Sequence, residues 1–298
     1  MFDLPKEVEG DDYLPTKTPF VYTVIMNIRC NEMVENILRQ EFGSEDFQFK
    51  DITRGGRAFV FLVNFEERDY VLRVCSQEQP IINNFKILKC LEGIGISPVP
   101  IQYNRWDDLH YSIESFLPGE HESYSDQNVP KLFESGTKIH RIHSDRCGHL
   151  DKLNHQSWSS YLHKRVRHHQ PQFSQRVSDH KYIDCVLSMC PEVDDFSLLH
   201  GDLWFGNSLL YQGKRYFIDF EKGMFGDKEF DFANTYYEQS LKPQILDSII
   251  EVTGYDKWKL LFYSVIHGID YVSHGKEKDV EPRTKRLDQV YTEFLDYK

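Results

Sequence analysis

The sequence lacks long hydrophobic runs, and no stretch approaches the roughly 18 consecutive apolar residues that a membrane-spanning helix needs. The N-terminal stretch MFDLPKEVEGDDYLP is acidic and interrupted by prolines, unlike a secretory signal. A mean hydropathy of −0.54 with 40% hydrophobic residues is typical of a soluble globular protein. We therefore expect a cytoplasmic protein with no membrane partner.

Positive charge and paired cysteines are also scarce. The chain has 35 Lys and Arg against 47 Asp and Glu, a net charge of −12, which disfavours nucleic acid as a partner. The one basic run, KRVRHH at 164–169, is interpreted as a solvated helix face. The six cysteines include no CxxC pair, so they predict neither a zinc site nor a disulfide framework. The sequence also contains no GxxxxGK[ST] motif, which excludes a P-loop kinase.

The sequence contains a β-rich pattern followed by a helical one. Alternating and β-branched runs predict strands over 47–53, 58–65, 69–75, 96–104 and 109–117. Amphipathic patterns predict helices over 31–42, over the stretch after Pro80, and over 131–144, 158–170 and much of 241–275. The predicted class is α+β, with an N-terminal lobe over 1–117, including an extended arm over 1–19, and a C-terminal lobe over 118–298.

Polar residues concentrate in one β-rich segment of the mainly helical C-terminal part, residues 197–221, here called the island. LLHGDLWFGNSLL (198–210) places Asp202 and Asn207 in one loop, and Asp219 ends the following strand, RYFIDFE. Carboxylate and amide oxygens without thiols suit Mg²⁺ better than zinc. Asn207 and Asp219 therefore predict a magnesium site, which leaves Asp202 to take a proton from a substrate hydroxyl. Phosphoryl transfer needs little more than such a base, a metal and a cation on the donor phosphates.

The same residues carry a resemblance to a known family. HGDLWFGN resembles the H-x-D-x-x-x-x-N catalytic loop of the kinase-like phosphotransferases, in particular the aminoglycoside phosphotransferase/choline kinase superfamily. FIDFE is similar to the second metal motif of that superfamily, and GDKEFDFA is similar to its G-x-x-x-x-D-[LI]-A segment. ITRGGRAFVFLV and YVLRV resemble its phosphate-covering hairpin and cation-bearing strand. The resemblance covers about residues 45 to 240 and implies a protein kinase-like, two-lobed fold.

The resemblance also implies roles for individual residues. Asp202 is the expected catalytic base, and Asn207 and Asp219 are the expected ligands of Mg²⁺ on ATP or GTP. His200 and Asp231 are expected to support the loop structurally. The nucleotide contacts that the resemblance implies are Gly55, Gly56, Arg73, Glu114 and Phe116.

One departure from the family pattern concerns Arg73, which stands where many kinases have Lys. The acid that usually pairs with this cation would fall near Asn84, which carries no charge. Either Glu78 supplies the acid instead, or the pair is weaker.

The acceptor is expected to be a small, cationic molecule bound by C-terminal helices, with Glu238 and Asp270 as candidate ammonium ligands. An aminoglycoside, which would imply antibiotic resistance, and choline or ethanolamine both fit. DFANTYYEQ resembles the D-I-A-N-x-x-x-E run of choline and ethanolamine kinases, whereas HGDLW-x-GN equally resembles ketosamine (fructosamine) kinases. A protein kinase is disfavoured because DFG and APE motifs are missing. A pseudokinase that only binds nucleotide or partners stays open because of Arg73 and Asn84.

Overall fold

The structure is a computed structural model that describes residues 20–53, 58–150, 153, 155 and 157–297. The expected arm over 1–19 and the expected phosphate-covering glycines, Gly55 and Gly56, lie outside the described residues. Residue contacts divide the chain into two units. One contains Met1–Phe49 with Asn64–Arg68, and the other contains Lys50–Val63 with Asp69–Lys298. The lobe boundary after residue 117 stays a prediction.

The first helix, α1, spans Phe20–Phe42. It begins before Asn31, so the expected helix start at Asn31 is wrong; the apolar, β-branched stretch before that residue concealed the helical pattern. The predicted end is confirmed, because Gly43 follows with a φ of 63° and donates its N–H to the Arg39 carbonyl at 3.0 Å. Glycine adopts this left-handed conformation without strain.

Five strands form the larger sheet, in the order β1-β2-β3-β5-β4. Their bounds are Phe47–Asp51 (β1), Phe59–Phe65 (β2), Arg68–Cys75 (β3), Pro100–Trp106 (β4) and Leu109–Ser115 (β5). β3 and β5 are antiparallel, with Val71 opposite Glu114 and Arg73 opposite Ser112. Helix α2, Glu78–Leu91, connects β3 to β4 and buries one apolar face. Because residues at i and i+2 share a sheet face, this register places Arg73 and Glu114 diagonally on one face.

The C-terminal part is mainly helical. Its helices are Val129–Gly136 (α3), Trp158–Arg176 (α4), Lys181–Met189 (α5), Lys228–Glu238 (α6), Pro243–Thr253 (α7), Lys257–His274 (α8) and Glu277–Tyr297 (α9). The predicted helix over 131–144 ends at Gly136, because the chain then makes a 3₁₀ turn at Ile139–Arg141 and a short strand, His143–Ser144 (β6). The prediction of an α+β fold, with a β-rich N-terminal region and a helical C-terminal region, is confirmed.

Two small sheets lie within the helical part. Met224–Gly226 (β10), Phe196–Leu199 (β7) and β6 form one, and Ser208–Tyr211 (β8) pairs antiparallel with Lys214–Phe217 (β9) in the other. The loop between β7 and β8 and the loop between β9 and β10 carry the polar residues of the island. Apolar side chains of α8, including Phe262, Val265 and Ile269, are fully buried in the core. In the part of the chain that the structure describes, no helix combines the length and the apolar character needed to cross a bilayer.

Candidate active site

The loop from His200 to Asn207, here called the catalytic loop, is shaped by a glycine and an amide. Gly201 has a φ of 80°, and a Cβ atom there would lie 2.1 Å from the Lys222 carbonyl oxygen, so only glycine fits. At the other end, Asn207 donates its Nδ2 to the Asp202 carbonyl at 2.9 Å. This bond holds Asp202 and Asn207 in one rigid turn and leaves Asn207 Oδ1 as the oxygen with which that side chain would hold a cation.

Asp231, on helix α6, anchors the start of the catalytic loop through its buried carboxylate. Its carboxylate accepts the backbone N–H of His200 at 2.8 Å and that of Gly201 at 2.9 Å, and it lies 3.1 Å from His140 Nε2. Burial alone would raise the pKa of Asp231, but its contacts with His140 and with the His200 amide hold that pKa below its ordinary value. A buried carboxylate with three partners is therefore a rigid support for the loop.

His200 is completely buried and lies beneath the same loop. Its Nε2 lies 3.1 Å from the Ile218 carbonyl oxygen, and its ring packs on Phe220 with 4.4 Å between ring centroids. The side chain thus connects the catalytic loop to the strand end that carries Asp219. Full burial keeps this imidazole away from any substrate, which leaves Asp202 as the candidate acid–base group of this loop.

Asp219 follows β9 and has a φ of 66°, a left-handed conformation that a non-glycine residue rarely adopts. Its side chain is 39% exposed, and one carboxylate oxygen lies 3.6 Å from Arg73 Nη1. Strained backbone that the surroundings maintain is often found at functional sites. Here the strain presents a carboxylate beside a cation at the end of a strand.

Arg73 has an acidic partner, and that partner is Glu114. The Arg73 Nε atom donates to Glu114 Oε1 at 3.2 Å, and only 13% and 4% of the two side chains are exposed. Burial alone would lower the pKa of Arg73, but the Glu114 and Asp219 carboxylates raise it above its ordinary value. The suggestion that Glu78 supplies the acid is wrong, because Glu78 instead accepts a hydrogen bond from Tyr103 at 2.9 Å. The pairing depends on strand register, which the sequence motif does not display.

Two asparagines of α2 hold the loop after β9, and sequence reasoning missed this role for both. Asn83 donates Nδ2 to the Glu221 carbonyl at 2.9 Å and to the Gly223 carbonyl at 2.8 Å. Asn84 accepts the Phe220 N–H at 2.9 Å and donates to Glu114 Oε2 at 3.0 Å. Both side chains are buried. The only signal in the sequence was that Asn84 occupies the position where the family has an acid.

The other residues that were expected to contact the nucleotide are Glu114, Phe116, Gly55 and Gly56. Glu114 uses both carboxylate oxygens for Arg73 and Asn84, so its side chain supports the cation instead of facing a nucleotide. Phe116 follows β5 and donates its N–H to the Asp69 carbonyl at 3.1 Å. Gly55 and Gly56 are not among the described residues.

A chain of hydrogen bonds extends from Asp202 toward the C-terminal helices. Lys222 Nζ lies 3.0 Å from Asp202 Oδ2, and Asn234 Nδ2 lies 3.5 Å from Asp202 Oδ1. The Tyr271 hydroxyl donates to Glu238, and its oxygen lies 3.2 Å from the Asn234 side-chain amide. Burial and the nearby charge of Asp202 raise the pKa of Glu238. The predicted acceptor residue Glu238 therefore lies in the electrostatic field of the predicted base.

Asp270 is placed differently from Glu238. It accepts a hydrogen bond from Arg165 Nε at 2.8 Å and lies 3.3 Å from His169 Nε2, which joins α4 to α8. Burial alone would raise the pKa of Asp270, but Arg165 and the neighbouring histidines hold it below its usual range. The carboxylate is already neutralised, so we assign it to helix packing and not to acceptor binding. The interpretation of 164–169 as a solvated face is also wrong for these two residues, which lie against α8.

The donor set at the two loops suits Mg²⁺. Asn207 Oδ1 and the partly exposed Asp219 carboxylate are hard oxygen donors, and Mg²⁺ is usually held by one or two such groups together with substrate phosphates. Within the described ranges, no group of three or more His, Cys, Asp or Glu forms an all-protein metal cage. A site with few protein ligands is the kind that leaves room for phosphate oxygens.

A comparison with models of known protein families shows the family of this chain. The model of the phosphotransferase enzyme family (APH) matches residues 50–261, well over half of the 298 residues. The chain belongs to this family. It is therefore a phosphotransferase, and the family resemblance carried by HGDLWFGN and FIDFE is confirmed. No curated protein is similar enough in sequence to count as a match.

Solved structures of other phosphotransferases share the fold. A thermostable mutant of aminoglycoside phosphotransferase APH(4)-Ia, in a ternary complex with ADP and hygromycin B, has a TM-score of 0.69 at 17% identity, covering 86% of this chain and 97% of that one. A putative fructosamine-3-kinase from Haemophilus somnus 129PT has a TM-score of 0.66 at 15% identity, covering 86% and 96%. Spectinomycin phosphotransferase APH(9)-Ia, in complex with ADP and spectinomycin, has a TM-score of 0.56 at 16% identity, covering 88% and 93%. At these identities the similarity concerns the fold.

Proposed function

We propose that this phosphotransferase moves the γ-phosphate of ATP or GTP to a hydroxyl of a small, cationic molecule. One observation carries the proposal: Asp202 lies on the same rigid turn as Asn207, and the adjoining loop presents Asp219 next to Arg73. A base, two oxygen ligands and a cation are the groups that phosphoryl transfer requires of a protein. The nucleotide complexes of two structural neighbours support a nucleotide donor.

In the proposed reaction, Asp202 accepts the proton of the acceptor hydroxyl. The hydroxyl oxygen forms a bond to the γ-phosphorus, and the bond from that phosphorus to the β,γ-bridging oxygen breaks, so the nucleoside diphosphate leaves. Asp202 is 22% exposed, so its carboxylate is accessible, while the Asn207 amide fixes its backbone. Positioning of this kind contributes much of the rate in phosphoryl transfer.

On the donor side, Arg73 is the cation that would bind the nucleotide phosphates. Its guanidinium is buried and held by Glu114, so it keeps its position without depending on the ligand. A magnesium ion on Asn207 and Asp219 would neutralise charge on the donor phosphates. The fixed guanidinium and the strained Asp219 backbone together form a preorganised site, which lowers the reorganisation required during transfer.

On the acceptor side, Glu238 is the residue that would bind an ammonium group. Its pKa is raised by burial and by Asp202, so bringing a cation beside it would favour its ionised form. The hydroxyl of Tyr271 orients Glu238 and Asn234 together. A cationic acceptor would therefore add positive charge beside an acid whose ionised form is disfavoured by burial and by the charge of Asp202.

The test is a Mg²⁺-dependent ADP-release assay with acceptor panels of aminoglycosides, choline and ethanolamine, fructosamines, and mixed peptides. We expect turnover with one small-molecule class, a loss of about 10²–10⁴-fold in kcat for Asp202→Asn, and loss of turnover with retained folding for Asp219→Ala. Asp195→Asn, at an exposed carboxylate, is the matched control and should leave turnover unchanged. Turnover only with peptides would indicate a protein kinase, and no turnover with any acceptor would indicate a pseudokinase; either result would refute the proposal.

A further inference from the structure

Four buried groups connect the cation of β3 with the loop that carries Asp219. Arg73 donates to Glu114, Asn84 donates to the other oxygen of Glu114, and the Phe220 N–H donates to Asn84 Oδ1. The three side chains come from β3, β5 and α2, and Phe220 directly follows Asp219. Asn84 is 2% exposed and Glu114 is 3% exposed, so water does not compete for these bonds.

We propose that Asn84 is a positioning residue that fixes Arg73 and the Asp219 loop relative to each other, with Glu114 of β5 supplying the carboxylate. This inference rests on the proposed function, because it assumes that Arg73 and Asp219 serve a bound nucleotide triphosphate. In this chain the acid thus lies on a strand, and helix α2 contributes a neutral amide.

The chemistry of the two positions explains why the amide is required. A carboxylate at position 84 would still accept from the Phe220 N–H. It would, however, place a second buried carboxylate 3.0 Å from Glu114, and the N–H that Asn84 donates to Glu114 would be lost. Two carboxylates at that distance repel each other and one must take up a proton. An amide both donates and accepts, so it satisfies the carboxylate and the loop amide together.

The same reasoning predicts that the acid and the amide are exchangeable as a pair. In the double variant Asn84→Asp with Glu114→Gln, the amide introduced at position 114 would donate to the carboxylate introduced at position 84. That carboxylate would also accept from the Phe220 N–H, and Arg73 would donate to the oxygen of the new amide. Every hydrogen bond is kept and the total charge is unchanged. By contrast, Asn84→Asp leaves two buried carboxylates that must share a proton, and Glu114→Gln leaves one of the three donors without an acceptor.

The experiment measures nucleotide affinity by calorimetry with two probes, Mg·AMP-PNP and adenosine. Adenosine lacks phosphates, so a variant that disturbs only Arg73 and the Asp219 loop changes the affinity for Mg·AMP-PNP alone. We expect Asn84→Asp and Glu114→Gln each to weaken Mg·AMP-PNP binding by about ten-fold or more, since hydrogen bonds to charged groups are among the stronger ones. The double variant should bind about ten-fold more tightly than either single variant.

Additive losses in the double variant, or equal losses for adenosine and Mg·AMP-PNP, would overturn the inference. If Asn84→Asp alone does not fold, as judged by thermal unfolding, the comparison of Glu114→Gln with the double variant decides: tighter binding in the double variant supports the pair, and equal or weaker binding refutes it. If the wild-type protein prefers GTP, Mg·GMP-PNP and guanosine replace the two adenine probes. A wild-type protein that binds neither pair would instead refute the proposed function, so the two failures are distinguishable.

Discussion

Replacing Asp231 by Asn removes the buried charge that holds the catalytic loop while keeping the size of the side chain. Asp231 is 1% exposed and accepts the N–H groups of His200 and Gly201 on its two oxygens, with His140 beside it. The substituted side chain has only one acceptor oxygen. If that oxygen keeps the His200 amide, the new NH₂ group faces the Gly201 N–H at the wild-type distance of 2.9 Å.

The expected cost follows from these contacts. A hydrogen bond to a charged group contributes about 1.5–3 kcal/mol, and a buried donor left without an acceptor costs about 1–3 kcal/mol. One lost bond and one unpaired amide therefore lower the free energy of unfolding by about 3 kcal/mol at pH 7. The phosphotransferase activity should fall as well, because Asp202 directly follows Gly201.

The loss should depend on pH with a defined sign. The pKa of Asp231 is held below its ordinary value, so around pH 4 the unfolded chain binds more protons than the folded protein does. The stability that this carboxylate contributes is therefore complete above the ordinary pKa and is lost as pH falls through the folded-state pKa. The difference between wild type and Asp231→Asn should be largest near neutrality and should shrink below about pH 4.

Urea unfolding at several pH values measures both effects. The control is Asp195→Asn, in which an exposed carboxylate paired with His143 is neutralised; its change should stay within about 0.5 kcal/mol. A loss for Asp231→Asn no larger than that of the control at pH 7, or a loss that grows as pH falls, would refute the assignment of Asp231 as a charged anchor.

Three further substitutions test other parts of the structure. Gly201→Ala forces a Cβ into a backbone carbonyl at positive φ, so activity should vanish and urea unfolding should show a loss of about 2 kcal/mol or more. Burial and a hydrogen bond to Asp227 raise the pKa of Glu229 to about 8, so the folded state retains a proton that the unfolded chain releases above its ordinary pKa of about 4.5. The free energy of unfolding should therefore fall as pH rises from about 4.5 to about 8 in the wild type but not in Glu229→Gln. Parallel curves of stability against pH for the two proteins would contradict this. Asp270→Asn should destabilise the protein by about 3 kcal/mol, because Arg165 loses its partner, while KM for the acceptor stays unchanged; a raised KM would restore the acceptor role.

The residues of the candidate site could be recognised because they lie within a short stretch of sequence. The spacing of Asp202, Asn207 and Asp219 follows from a loop and the next strand end, and no distant contact is needed to recognise it. The β-rich and helical parts were predictable for a similar reason, since periodicity is a local signal.

The pairings across the fold were not predictable in this way. Glu114 meets Arg73 only because β5 pairs with β3 in one particular register, and a shift by one residue would move Glu114 to the other face. Asp270 and Arg165 lie on helices far apart in the sequence, so each was interpreted without the other. Contacts that depend on register or on helix packing have no local pattern by which to find them.

The anchoring of the catalytic loop has a consequence for hydrogen exchange. Loops usually open at little free-energy cost, and their amides exchange quickly. The amides of His200 and Gly201, however, donate to a carboxylate inside the core, so they become free only when α6 separates from the loop. These two amides should exchange as slowly as those of a central strand. The loop that carries Asp202 thus behaves as part of the core.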